Sequence, residues 1–272
     1  FTSLQQIGLD GELYEKFRPY LDKPNGIILV TGPTGSGKTT TLYASLLAMN
    51  RDNKNVVTIE DSVEYHIDNV TQVQMKPGVN LSFAAAIKTF LRQDPDIILV
   101  GEIRDNETAE AAIQASLTGH LVLSTLHTND SPTAIARLIE MEVEPFLISS
   151  SLAVVIGQRL VRKTCPHCQE EVSADDYIKS TFLRAGIEIN SYIKGKGCSN
   201  CFNTGYRGRI GIFEMLEITD SLRSLINKRA SSYDIKEAAR KEGFRTMFEY
   251  GAELVKKGIT TPSEVLSVTK VD

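Results

Sequence analysis

The chain of 272 residues is 42% hydrophobic and 24% charged, the composition of an ordinary folded protein with a substantial core. Thirty basic residues against thirty-four acidic ones leave a formal charge of −4, so no overall positive field calls for nucleic acid or an anionic membrane. No apolar stretch approaches the roughly 20 residues of a membrane-spanning helix and no signal peptide is evident, so a cytoplasmic location is expected.

The chain opens at Phe1 in a polar amphipathic stretch, Leu4 to Tyr20, and residues 1–23 are expected to be a linker from an N-terminal domain of a longer protein. After the turn at Asp22-Lys23-Pro24-Asn25-Gly26, apolar runs alternate with helical patterns, the signature of a mainly parallel sheet with crossover helices. Strands are predicted at Ile27–Thr31, Val56–Ile59, Ile97–Gly101 and Leu121–Leu126, and helices at Thr39–Asn50, Ser82–Arg92 and Asn106–Leu117. A further helix should follow Ser131-Pro132, since serine caps well and proline suits the first helical position. Another apolar stretch, Pro145 to Leu160, ends this α/β core at residues 24–162. Residues 163–211 are polar, glycine-rich and contain every cysteine, while from Phe213 the pattern reads as helical with little strand potential, giving a helical C-terminal subdomain at 212–272.

Within this frame, Gly32-Pro33-Thr34-Gly35-Ser36-Gly37-Lys38-Thr39-Thr40 follows a predicted strand and opens a predicted helix, the context of a phosphate-binding P-loop. Its glycines permit a backbone whose N–H groups converge on phosphate, aided by the helix N-terminus. Lys38 would reach the terminal phosphates and Thr39 would supply a hydroxyl to Mg²⁺; the alternative is a glycine-rich turn that matches by accident. The run Ile97–Val100 delivers Glu102 to the carboxyl end of a strand, as a Walker B acid or simply as a charge ending a strand. Glu60, Asp61 and Glu64 follow the strand at Val56–Ile59 and offer carboxylates to orient or deprotonate a water, or else form a solvated acidic loop. His127 stands just past the end of an apolar run, where an imidazole could bond a phosphate; His120, at its beginning, stands equally between functional and structural roles. Arg92, Arg104, Arg137 and Arg159 flank these elements, as partners for phosphoryl charge or as surface charges. The pairs Cys165/Cys168 and Cys198/Cys201 can close on one tetrahedral ion as a four-thiolate zinc site, with disulfides as the alternative and His167 superfluous.

Together these motifs resemble the secretion and pilus assembly ATPases of type II secretion systems and type IV pili. The resemblance runs from Gly26 to the C-terminus and rests on residues 32–41, 59–64, 92–105 and 118–130. It implies an α/β fold with a RecA-like P-loop NTPase core, a small zinc-binding insert and a helical C-terminal subdomain. Glu64 becomes the expected catalytic carboxylate alongside Glu102 and Lys38. His120, His127, Arg92 and Arg104 are expected to face ATP or ADP, together with Glu60, Asp61 and the P-loop. The resemblance further implies a homo-hexamer that works on an inner-membrane platform protein and a cytoplasmic adaptor, peripheral to the membrane, without nucleic acid. The cysteine module resembles that of assembly and secretion motors rather than retraction motors. Ser62 stands where the family usually has proline, and Lys88 where it commonly has arginine. Two other readings remain: a nucleic-acid translocase of the same ring class, and a nucleotide-binding docking module that is inactive without its N-terminal domain.

Overall fold

The computed structural model describes residues 2–271; Phe1 and Asp272, the outermost positions of the expected linker and helical subdomain, lie outside the described residues. In chain order, the first part of the fold is α1 (Gly11–Phe17), β1 (Gly26–Thr31), α2 (Lys38–Ala48), β2 (Val56–Glu60), β3 (Thr71–Gln74), α3 (Phe83–Phe90), β4 (Ile97–Val100), α4 (Asn106–Leu117), β5 (Leu121–Leu126), α5 (Ser131–Glu140) and α6 (Pro145–Ser151). The second part is β6 (Leu152–Thr164), β7 (Gln169–Ser173), α7 (Asp176–Arg184), β8 (Ser191–Gly195), β9 (Tyr206–Glu217), α8 (Asp220–Asn227), α9 (Ser232–Lys241), α10 (Met247–Lys256) and α11 (Pro262–Val268).

Seven strands form one sheet in the order β3-β2-β4-β5-β1-β6-β9, parallel throughout except for the antiparallel pair β6–β9. Every residue of β1, β2, β4 and β5 is buried, as expected of parallel strands covered by helices on both faces. Period-two alternation divides the strand side chains between two layers. Ile27, Leu29, Ile59 and Val100 face Ile87 of α3 and Ile113 of α4, with Leu222 and Ile226 of α8 in the same layer. Ile28, Val30, Leu99 and Leu123 face Leu42, Tyr43 and Leu46 of α2, together with Leu4, Leu9, Phe17 and Leu21. The leading segment is thus packed onto the sheet, its four anchors fully buried.

The largest departure from the sequence expectation is β9. The segment from Phe213, read as helical, continues a strand that pairs with β6 from Val154↔Glu217 to Thr164↔Tyr206. Ile212, Phe213, Met215 and Leu216 are all buried, as is Glu214 between them, so the covered strand shows apolar residues on both faces rather than an alternation. β6 and β9 run through positions 162/163 and 211/212, and the cysteine-bearing residues form an excursion between them that carries β7, α7 and β8. Phe248 of α10 and Val265 of α11 pack against Phe182 of α7, joining the last helices to that excursion. Among the described residues no helix is long and apolar enough to cross a membrane.

Candidate functional site

Because β1, β2, β4 and β5 run parallel, the loops that follow them share one edge of the sheet. Residues 32–37 form the loop between β1 and α2. Gly35 and Gly37 sit at φ +81° and +87°, where side chains are rarely tolerated, and Gly37 caps α2. A Cβ at Gly32 would lie 2.4 Å from Ser36 Oγ and 2.5 Å from the carbonyl oxygen of Gln158. Lys38 folds back so that Nζ donates to the carbonyls of Gly32 (2.8 Å) and Pro33 (3.0 Å). Burial lowers the Lys38 pKa, and the nearby Glu102 carboxylate opposes that shift. Thr39 and Thr40 lie in the first turn of α2, half-buried at the mouth of the loop. Beneath them Thr41 Oγ1 donates to Gln158 Oε1 at 2.6 Å. Gln158 is a site residue that the motif reading passed over; its signal was a polar side chain inside the apolar run that became β6.

Four expected residues converge beside the loop. Glu102, 13% exposed, places Oε1 2.8 Å from His127 Nε2, and its Oε2 accepts from Arg104 Nε at 2.7 Å. Arg104 Nη2 donates to Asp61 Oδ2 at 2.7 Å, so the loops after β2, β4 and β5 are tied together at their tips. Thr128 donates its N–H to Thr31 Oγ1 at 3.1 Å, fastening the His127 loop to the end of β1. Glu64 is exposed, and its backbone N–H donates to Tyr43 Oη at 3.3 Å. Arg159 Nη2 donates to the carbonyl (3.4 Å) and Oδ1 (3.3 Å) of Asn129 and so borders the same loop.

Three expected nucleotide contacts are placed elsewhere within the chain. Glu60 is buried; Oε1 accepts from Tyr43 Oη and Oε2 from Thr58 Oγ1 at 2.6 Å, so it braces α2 against β2 instead of facing the cleft. His120 precedes β5, with Nδ1 2.8 Å from the carbonyl oxygen of Ala115, and Arg92 precedes β4 in the turn after α3. Residues before a parallel strand lie at the opposite edge from those after it, roughly 20 Å away across six strand residues. Arg137 points along α5 to Glu140 at 3.3 Å, on an exposed face.

At the base of the excursion the four cysteine sulfurs lie within 4.8 Å of one another. The spacings Cys165–Cys198 and Cys168–Cys201 are 3.9 Å and Cys198–Cys201 is 3.8 Å, far longer than a disulfide, and all four are free thiols. Sulfurs about 2.3 Å from a central zinc would stand ~3.8 Å apart at the corners of a tetrahedron. Burial raises the Cys201 pKa, but the N–H groups of Cys198 and Gly205 and the neighbouring thiols of Cys198 and Cys168 together lower it to about 6, while burial and the other thiols push Cys168 up. The set can therefore hold a tetrahedral, thiophilic ion. His167 is exposed between the first pair.

The family model described as "Type II/IV secretion system protein" matches residues 1–267. The chain is 47% identical to the type II secretion system protein E of Pseudomonas aeruginosa, over 98% of this chain and 53% of that protein. It is 48% identical to the type IV pilus assembly ATPase PilB of Thermus thermophilus, over 98% of this chain and 30% of that protein. Among solved structures it is similar to the pilus retraction motor PilT with bound ADP, with a TM-score of 0.74 and 28% identity over 99% of this chain and 67% of that one. The Legionella pneumophila ATPase DotB shares the fold at a TM-score of 0.71 and 23% identity, over 98% of this chain and 64% of that one. The chain thus spans about half the length, or less, of these curated relatives.

Proposed function

This chain belongs to the type II/IV secretion system protein family, and we propose on that ground that it is an ATP-hydrolysing motor domain for type II protein secretion or type IV pilus assembly at the inner membrane. The observation that carries the reading is the meeting of the 32–40 loop with Asp61, Glu102, Arg104 and His127 on one sheet edge. In this reading the N–H groups of residues 32–40 and the α2 N-terminus receive the phosphates of ATP or ADP. Lys38 exchanges its two carbonyl acceptors for phosphate oxygens, and its ammonium is worth more in that half-buried position than in water. Glu64, whose side chain is exposed, orients and deprotonates the attacking water with Glu102. Arg104 and His127 tie Glu102 to the neighbouring loops and register the loss of the terminal phosphate. Thr39 would hold Mg²⁺, which supplies charge neutralisation between phosphates, and the four cysteines would hold Zn²⁺ as a closed structural site.

In the full machine the chain acts within a homo-hexamer, cytoplasmic and bound to the membrane through a platform protein and its adaptor. The test is Mg²⁺-dependent phosphate release by the longer protein that carries this chain. Loss of that release in Lys38→Ala, with the fold intact by circular dichroism, is the expected result. No release from the unmodified longer protein, with or without its membrane partner, would overturn the reading.

A further inference from the structure

Glu214 on β9 is 3% exposed and makes no salt bridge among the described residues. Its oxygens take the beginnings of two helices instead. Oε1 accepts from the backbone N–H of Ser131 at 2.7 Å and from its hydroxyl at 2.8 Å, while Oε2 accepts from the N–H of Met247 at 3.0 Å. Ser131 and Met247 are the first residues of α5 and α10, where unpaired N–H groups and the helix dipole favour an anion. Each helix has its own cap as well: Asp130 accepts from the Thr133 N–H at 2.9 Å, and Thr246 Oγ1 from the Glu249 N–H at 3.3 Å. Glu214 takes the donors those caps leave. Space for it comes from Gly157, its direct partner on β6, where a Cβ would lie 2.8 Å from Glu214 Cγ. Burial raises the carboxyl pKa, a cost that the three donors oppose.

The two helices lead to different parts of the molecule. α5 starts directly after the loop whose His127 touches Glu102 and whose Thr128 is fastened to Thr31. α10 carries Phe248, Ala252 and Val255 into the cluster shared with α7 and α11. We propose that Glu214 is a positioning residue that locks α5 and α10 into one body, so that rearrangement of the His127 loop on nucleotide binding is carried to the C-terminal helices and the cysteine-bearing excursion. This rests on residues 32–40 being the nucleotide site.

A glutamine at 214 keeps size and shape but offers a single acceptor oxygen. With that oxygen retained by the two Ser131 donors, its NH₂ group faces the Met247 N–H, and the α10 link is lost. The experiment is amide hydrogen exchange on the chain with and without Mg-ADP. In the unmodified chain ADP slows exchange in both 127–135 and 247–256. Glu214→Gln binds ADP within about threefold of the original affinity, a small change on the free-energy scale. It keeps the response at 127–135, loses it at 247–256, and exchanges there about tenfold faster in either state, as one unsatisfied buried donor implies. Full retention of the 247–256 response in Glu214→Gln overturns the proposal, as does an unmodified chain that responds at 127–135 alone. Should Glu214→Gln not fold, Glu214→Asp decides: it keeps the charge but is one methylene shorter, so it cannot reach Ser131 and Met247 together, and a lost 247–256 response supports the link while an unchanged one overturns it. Failure of ADP to bind the unmodified chain abolishes both responses, and overturns the nucleotide-site reading along with the proposal.

Discussion

Glu60, Asp61 and Glu64 are close neighbours in sequence, yet they occupy three different environments. Asp61 is held by Arg104, Glu60 is sealed under Tyr43 and Thr58, and the Glu64 side chain is exposed, with its backbone N–H on Tyr43. Their roles should separate on substitution. Glu64→Gln in the longer protein is expected to lower kcat by about 100-fold or more, with nucleotide affinity kept, because it removes a general base and little else. Glu60→Gln should instead replace one of two filled acceptor positions by a donor, destabilising the fold by about 1–2 kcal/mol in denaturant titration. A Glu60→Gln protein of unchanged stability and abolished hydrolysis would reverse these assignments. Residue type made the acidic cluster visible in the sequence, but which carboxylate turns inward depends on Tyr43 of α2, a partner supplied only by the fold.

At the scale of elements, the P-loop is held from behind by β6. Gln158 supplies the acceptor for Thr41 Oγ1, and its carbonyl and side-chain amide crowd the faces of Gly32 and Gly37. Gln158→Leu removes that acceptor, so a loss of about 1–2 kcal/mol is expected from chemical denaturation, along with weaker ADP binding from a loosened loop. Unchanged affinity and stability would show that β6 is a passive neighbour. The motif spans 32–40 were readable because their backbone demands are local: glycine for positive φ, lysine and threonine at the helix start. β6 and β9 were less readable because each is covered, which erases alternation and leaves apolar residues on both faces, a pattern that helix and strand share. Cysteine spacing is again local, and its physical consequence can be tested alone. Removing metal with a chelator, or substituting Cys165→Ser, should release one zinc per chain and speed hydrogen exchange across 165–205, with residues 32–40 unaffected. One zinc retained by Cys165→Ser would contradict a four-sulfur site.

The whole molecule limits what one chain can bring to the nucleotide. All loops after β1, β2, β4 and β5 meet at one edge, whereas Arg92 and His120 lie at the other, so proximity in the motif spans 92–105 and 118–130 does not become proximity in space. Position along a strand, invisible in a motif, decides which edge a residue serves. Arg92→Ala and His120→Ala should therefore leave ADP affinity of this chain within about twofold, while His127→Ala and Arg104→Ala lower it measurably by titration. Within the chain, Arg104 is held by Glu102 and Asp61, while Arg159 reaches Asn129 at 3.3–3.4 Å and leaves its buried Nε without a partner among the described residues. A guanidinium delivered by a neighbouring subunit would add to what these supply, and an arginine supplied in that way is worth about 10³–10⁵ in rate in other phosphoryl-transfer enzymes. The chain also spans only 53% and 30% of the two relatives described above. The isolated chain should accordingly bind ADP yet turn over ATP at least ~100-fold more slowly than a version extended to the length of its relatives, and if that version forms the proposed hexamer its rate per chain should rise with concentration. Phosphate release measured side by side over a concentration series checks this, and equal rates per chain for the two would mean that the site is complete as it stands.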